Sequence, residues 1–226
     1  MDGEPPRCDT VVVVGPVTRL LIGLNVAAFL AEETVGNTMI ARLALWPIGR
    51  SRAIPGVGDA HFAVWQLLTS SLLHANMSHL FVNMFALYMF GRDVERALGS
   101  ARYLRLYVAA VLSAALVQLA VVSWPSGGPI YPTLGASGGV FGVLLAFGML
   151  FPRRIVTLIF PPIPMPAWLF VIGYGLFELL NGVRGTRSGV AHFAHLGGML
   201  GALLLLLRWR GEAATLEDPP ESRAQR

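Results

Sequence analysis

A chain of 226 residues that is 54% hydrophobic and only 13% charged, with a mean hydropathy of +0.61, lies outside the range of soluble domains and is expected to be an integral membrane protein. Its formal charge of +4 rests on arginine alone, since lysine is absent, and the arginines sit mainly between apolar runs, as topogenic charge rather than a nucleic-acid-binding surface. The length leaves room for one helical bundle, and the single cysteine, Cys8, excludes an internal disulfide.

Residues 1–16 read as a polar tail. Runs of roughly 17–25 apolar residues suffice to cross a bilayer, and the candidate spans are Val17–Val35, Ala75–Phe90, Tyr103–Ser123, Ser137–Phe151, Ala167–Gly182 and Val190–Trp209. The first follows Pro16 with no small-residue cleavage site behind it, so it reads as a retained anchor rather than a signal peptide. The connection Gly36–Trp65 carries the apolar piece Met39–Trp46, broken by Pro47 and Pro55, and is expected to lie in the interface as an amphipathic element. The expected fold is thus all-α, with residues 17–210 forming a six-helix membrane domain and residues 211–226 a polar, disordered tail.

Arginine placement sets the orientation. A cytoplasmic N-terminus puts the pairs Arg92/Arg96, Arg102/Arg105, Arg153/Arg154 and Arg208/Arg210 inside, with Arg7, Arg19, Arg223 and Arg226, and leaves Arg42, Arg50, Arg52, Arg184 and Arg187 outside. The expected location is a bacterial inner membrane, crossed several times, with the N-terminus cytoplasmic. The three arginines of the long first connection are the main contrary signal, and long loops weigh less.

The fourth run is short for a hydrocarbon core about 30 Å thick. It starts at Ser137, behind the glycine- and proline-rich stretch Ser126–Gly135, which can return into the protein as irregular backbone where that backbone lines a wet cavity. Ser137 is therefore expected to be submerged and hydrated. Runs two, four and six cross in the same direction, and their polar residues, His74/His79/Asn83, Ser137 and His192/His195, all lie toward their N-terminal ends. All share one face of the bilayer, and polar side chains in spans are costly enough to mark function.

A serine hydroxyl opposite an imidazole makes a nucleophile with its base, so Ser137 and His195 are the candidate catalytic pair. Gly138-x-x-x-Gly142 and Gly197-x-x-x-Gly201 are small-residue faces that would let the two helices meet. The N–H groups of Ser137 and Gly138 at a helix N-terminus, with His79 and Asn83 on one face of another helix, are candidates to stabilise an oxyanion. His74 reads as structural. Glu178 is the only acid in the fifth run and has no evident claim to orient His195, so a dyad is expected rather than a triad.

The run His79-Leu-Phe-Val-Asn83, the element Gly135-Ala136-Ser137-Gly138 and the run Ala194-His195-Leu-Gly-Gly198 together resemble the rhomboid intramembrane serine proteases, in order and across the whole six-helix region. The resemblance implies Ser137 as nucleophile, His195 as base, and His79 with Asn83 as the oxyanion-stabilising pair. It implies a structural role for the Glu95-Arg96 element that follows the second helix. Two positions depart from the family pattern: its Trp-Arg pair in the first loop is Trp65-Gln66 here, and the tyrosine that stacks on the catalytic histidine is Phe141, which keeps the ring and loses only the hydroxyl.

The expected function is cleavage of single-span membrane proteins within the lipid bilayer, with no cofactor, no metal and no nucleic-acid partner; the sequence sets no oligomeric state. The alternative is a non-proteolytic rhomboid-like adaptor that binds transmembrane helices, although such relatives typically lack the nucleophile or the base. A metal hydrolase built on His74, His79, His192 and His195 is disfavoured by the lack of a His-Glu-x-x-His run and of a suitably placed carboxylate. A small transporter is disfavoured by the lack of repeat symmetry.

Overall fold

The computed structural model describes residues 14–124, 130–158, 161–184 and 191–217, with the side chains of 211–217 excepted. Helix α1 (Pro16–Val35) has proline in its first turn, where the missing N–H costs no hydrogen bond. Its buried stripe is Thr18, Leu21, Asn25, Phe29 and Glu32, while Leu20 and Leu30 on the opposite side are 53% and 59% exposed. A helix that is polar inside and apolar outside inverts the soluble amphipathic pattern and suits a hydrocarbon surrounding.

The first connection contains a short helix, α2 (Asn37–Leu43), and an antiparallel hairpin, β1 (Arg52–Ile54) with β2 (Gly58–Ala60), folded around the buried Trp46. Helix α3 (Gln66–Thr69) begins at the position where the family pattern has arginine. Gln66 is 1% exposed and does the anchoring: its amide donates to the carbonyls of Arg42 and His61, and its oxygen accepts from the Trp46 N–H.

Helix α4 (Met77–Ala86) is capped by Asn76, whose side chain accepts from the His79 N–H at 2.9 Å, and it continues through a π turn over Leu87–Gly91 into α5 (Arg92–Leu98). Next come α6 (Ser100–Val122), α7 (Ser137–Leu150), a second hairpin of β3 (Ile155–Thr157) and β4 (Pro164–Pro166), then α8 (Ala167–Arg184) and α9 (His192–Glu217). Each run read as a span contains a helix. Among the described residues α6 and the His192–Arg210 part of α9 are long and apolar enough to cross a membrane by length and composition, and α7 is shorter.

The structure departs from the expected all-α fold in the two small hairpins, both in connections. Helix α9 also runs past Arg210 to Glu217, so the expected disordered tail begins as helix. The remainder of that tail, the N-terminal tail through residue 13 and residues 125–129 of the glycine-rich stretch lie outside the described residues.

Helix α6 is the centre of the packing, with Tyr103, Leu106, Tyr107, Ala110 and Ala114 buried at helical spacing. Glycines set its distance from α7 and α9. A methyl group on Gly138 or Gly142 would strike Ala114 or Ala110 of α6, and one on Gly201 would fall 2.6 Å from the Ser113 Cβ. The partner of Gly138 on α9 is Gly198, where a Cβ would collide with the Gly138 carbonyl; Gly197 and Gly201, expected to face α7, face α6 instead.

Glu95, in the helix that follows the π turn, ties the start of α1 to the α5–α6 junction. Its carboxylate accepts from the N–H groups of Val17 and Thr18, each at 2.9 Å, and from the hydroxyls of Thr18 and Ser100, each at 2.7 Å. Burial alone would push the Glu95 carboxyl up, but the bonds from Ser100, Thr18 and Val17 outweigh it and hold it below the usual carboxylate value. Its contribution to stability is then present above the ordinary carboxylate pKa and is lost as pH falls through the lowered native value.

Two stability measurements in detergent follow. Gly198→Ala is expected to cost about 1–3 kcal/mol through overpacking, while Gly23→Ala, with nothing within 4 Å of the added methyl, is neutral or stabilising by up to about 1 kcal/mol; equal melting temperatures would mean that α7 and α9 do not meet at Gly138. The gap in melting temperature between wild type and Glu95→Gln is expected to be widest near neutral pH and to close as pH falls past the ordinary carboxylate value and through the lowered native one. A gap that stays constant across that range would mean that Glu95 does not act as a carboxylate.

Candidate active site

Helix α7 starts abruptly because Gly135 adopts φ 128°, a conformation open to glycine, and Ala136 then turns the chain into the helix. This puts Ser137 in the first turn with its hydroxyl half-buried, above helix N–H groups that have no intrahelical acceptor. The lack of a side chain at Gly135 matters as much as its φ: a Cβ there would lie 2.7 Å from Cε1 of His79 and 3.6 Å from the Ser137 Oγ. His79 therefore packs directly against the backbone that precedes the serine.

His195 lies in the first turn of α9, 8% exposed, with Nε2 2.8 Å from the Ser137 Oγ. Phe141, one turn after the serine, stacks on the imidazole with ring centroids 4.1 Å apart and planes 5° from parallel. The ring of Phe141 thus holds one face of His195 while the serine meets its edge. A cleft beside Ser137 is lined by Ser70, Ser71, Gln118 and Thr133 among others, so hydroxyl and amide groups line the space next to its hydroxyl.

Of the polar residues expected on one face, the structure brings several together. His79, Ser137, Gly138 and His195 form one neighbourhood, and His74 lies buried behind His79 with the two rings 5.0 Å apart, edge to face. Asn83 is buried, and one amide N–H is spent on the His79 carbonyl at 2.9 Å, which leaves the second as its remaining donor.

Glu178 of α8, expected to have no evident claim on His195, lies next to it. It is 3% exposed, its Oε2 lies 2.6 Å from Nδ1 of His192, and the same oxygen lies 2.9 Å from Nδ1 of His195. The first is a hydrogen bond. The second is an ion-pair distance at which the Nδ1–H direction misses the oxygen. The signal for it was present in the sequence, since an acid within an apolar run marks function and His192 and His195 share a helical face, but only the antiparallel packing of α8 on α9 brings the three together.

These three side chains also offer one metal-ligand atom each, all within 4.8 Å of one another. Two nitrogens crowded onto one carboxylate oxygen at 2.6 and 2.9 Å have the spacing of hydrogen bonding rather than of donors spread around an ion, and the other nitrogen of His195 is engaged by Ser137.

Residues 61–210 match the Rhomboid domain family model. The chain is 30% identical over 183 residues to Rhomboid protein 1, mitochondrial, of Saccharomyces cerevisiae, covering 67% of this chain and 51% of that protein. It is 29% identical to the Rhomboid protease GluP of Bacillus subtilis, covering 81% of this chain and 33% of the relative. It is 33% identical to the Rhomboid protease AarA of Providencia stuartii, covering 62% and 54%. The chain thus spans between a third and just over half the length of these relatives. With a family match across the helices that carry Ser137 and His195, this apolar, helical membrane chain belongs to the rhomboid family.

Proposed function

We propose that this protein is an intramembrane serine endopeptidase that cleaves single-span membrane proteins with Ser137 as nucleophile and His195 as general base. The observation that carries the reading is the 2.8 Å contact between Ser137 Oγ and His195 Nε2, braced by Phe141. In the acylation step His195 Nε2 takes the serine proton as Oγ attacks the scissile carbonyl carbon, and the carbonyl π pair moves onto oxygen. The N–H groups of Ser137 and Gly138, with His79 and Asn83, stabilise that oxyanion. Collapse expels the amine, which takes its proton from Nε2, and water then hydrolyses the acyl-serine by the same sequence.

The topology that suits this chemistry has six crossings within residues 17–210 and a cytoplasmic N-terminus, supported by the arginine distribution and by the inverted polarity of α1. Helix α7 has 14 residues and rises about 21 Å, so its serine end lies below the surface of the bilayer. A substrate helix hides its carbonyls in internal hydrogen bonds and must unwind to reach such a serine. Glycine or proline in the substrate lowers that cost. A small residue at the cut fits the space beside Gly135 and Gly138, and cleavage falls near the outer end of the substrate span.

Purified wild type is expected to react with a fluorophosphonate at Ser137 and to cut a single-span substrate. Ser137→Ala, His195→Ala and the double variant are expected to be comparably inactive while folded, because nucleophile and base act as a unit and their losses do not add. Cleavage by Ser137→Ala at the wild-type rate would refute Ser137 as the nucleophile, whereas a folded wild type that neither labels nor cleaves would leave the adaptor reading.

Asn83→Ala is expected to lower kcat by about 10²–10³-fold, the usual cost of one oxyanion donor with others in place, while fluorophosphonate labelling persists. Unchanged turnover would assign the Asn83 amide wholly to its bond with the His79 carbonyl.

A further inference from the structure

Glu178 and His192 take no part in the proton transfer just described, yet Glu178 lies against the group that performs it and His192 against Glu178. The acid is buried on α8, the helix outside the α6–α7–α9 core, and both of its partners come from the first turn of α9. A buried carboxylate is costly unless it is paired and hydrogen-bonded. Here one oxygen is directed at two imidazoles, which is an arrangement for holding rings in place.

We propose, on the basis of the serine-protease reading above, that Glu178 is a positioning residue for the general base, held in place by His192. A neutral imidazole carries one proton, and which nitrogen has it is set by what the other nitrogen meets. With a carboxylate oxygen 2.9 Å from Nδ1 of His195, the proton belongs on Nδ1; the reverse tautomer would set a nitrogen lone pair against a carboxylate lone pair. Nε2 is then unprotonated and can accept from Ser137.

The charge ledger of the first step gives the carboxylate a second role. As the serine O–H bond breaks and the Nε2–H bond forms, His195 becomes an imidazolium whose Nδ1–H lies beside Glu178. The acid takes no proton; it balances a charge that exists only after transfer. The off-line resting geometry at Nδ1 is of the kind that tightens as that charge develops, so the interaction is stronger in the transition state than in the ground state and acts on kcat rather than KM. His192 fixes the position of the shared oxygen through its 2.6 Å bond.

The test is turnover of a single-span substrate by the full chain in proteoliposomes, with fluorophosphonate labelling and melting temperature measured beside it. Glu178→Gln is expected to lower kcat about 10- to 100-fold with KM unchanged. Glu178→Asp is expected to recover part of that loss. His192→Gln, which leaves the Glu178 carboxylate in place, is expected to lower kcat by a smaller factor, and EDTA to leave the wild type unaffected.

Full kcat in a folded Glu178→Gln overturns the proposal, as do equal deficits in the Gln and Asp variants that track lost melting temperature. Loss of wild-type activity in EDTA with recovery on adding Zn²⁺ would make the trio a metal site instead. If Glu178→Gln does not fold, His192→Gln decides: a fall in kcat at constant KM upholds the proposal and an unchanged kcat ends it. A wild type that neither labels nor cleaves removes the protease reading itself, whereas an active wild type with an undiminished Glu178→Gln removes only the inference drawn from it.

Discussion

Backbone contact between α7 and α9, where Gly138 meets Gly198 with no side chain between them, sets the position of everything that surrounds Ser137. Hydrocarbon supplies no hydrophobic drive for helices to associate, so close packing has to hold the bundle together, and close packing requires small residues at the contact. The same glycines that let the helices approach also set the 2.8 Å spacing between a hydroxyl on one and an imidazole on the other. A methyl group at Gly198 would strike the Gly138 carbonyl and part α7 from α9, and with them Ser137 from His195, whereas one at Gly138 would strike Ala114 of α6. Stability and chemistry therefore draw on the same few atoms of free space.

The second constraint is polar satisfaction. Inside this bundle Thr18, Gln66, Asn83, Glu95 and Glu178 are buried, and each is bonded to backbone or to another side chain. Glu95 supplies acceptors for the first orphan N–H groups of α1, which lack intrahelical partners and would otherwise be left without them. Gln66 does the same kind of work for the first connection. A neutral amide there reaches two carbonyls and one N–H, so the loop is fastened without the arginine of the family pattern.

What could be read from the sequence was whatever depends on residue type and direction of crossing. Ser137, His195, His79 and Asn83 were legible because polar groups in apolar runs are few and all fell at corresponding helix ends. Phe141 was expected against His195 only through the family resemblance, as the ring that stands where the family has a tyrosine. Partnership across helices was not, because it depends on rotation about the helix axis, which composition does not fix. The small-residue repeat on α9 was readable as Gly197 and Gly201, but rotation turns those toward α6 and leaves Gly198 to meet Gly138. Glu178 was visible as an acid in the fifth run, and only the packing of α8 on α9 aims it at His195. The hairpins were hidden for another reason: strands of three residues carry too little alternation to register.

The polar stripe of α1 has a consequence for how the chain enters a bilayer. Glu32 finds its partner in the His74 N–H, and Thr18 finds its own in Glu95, residues that leave the ribosome long after α1 is complete. An unpartnered acid costs about 2.5–3.5 kcal/mol at the centre of a spanning helix and less toward its ends, and Glu32 stands in the last turn of α1, so leaving it without its partner costs less than that. In the six-crossing topology proposed above, the placing of α1 is completed when later elements cover that stripe. A substitution at Glu95, far along the chain, thus acts on the start of a helix made well before it.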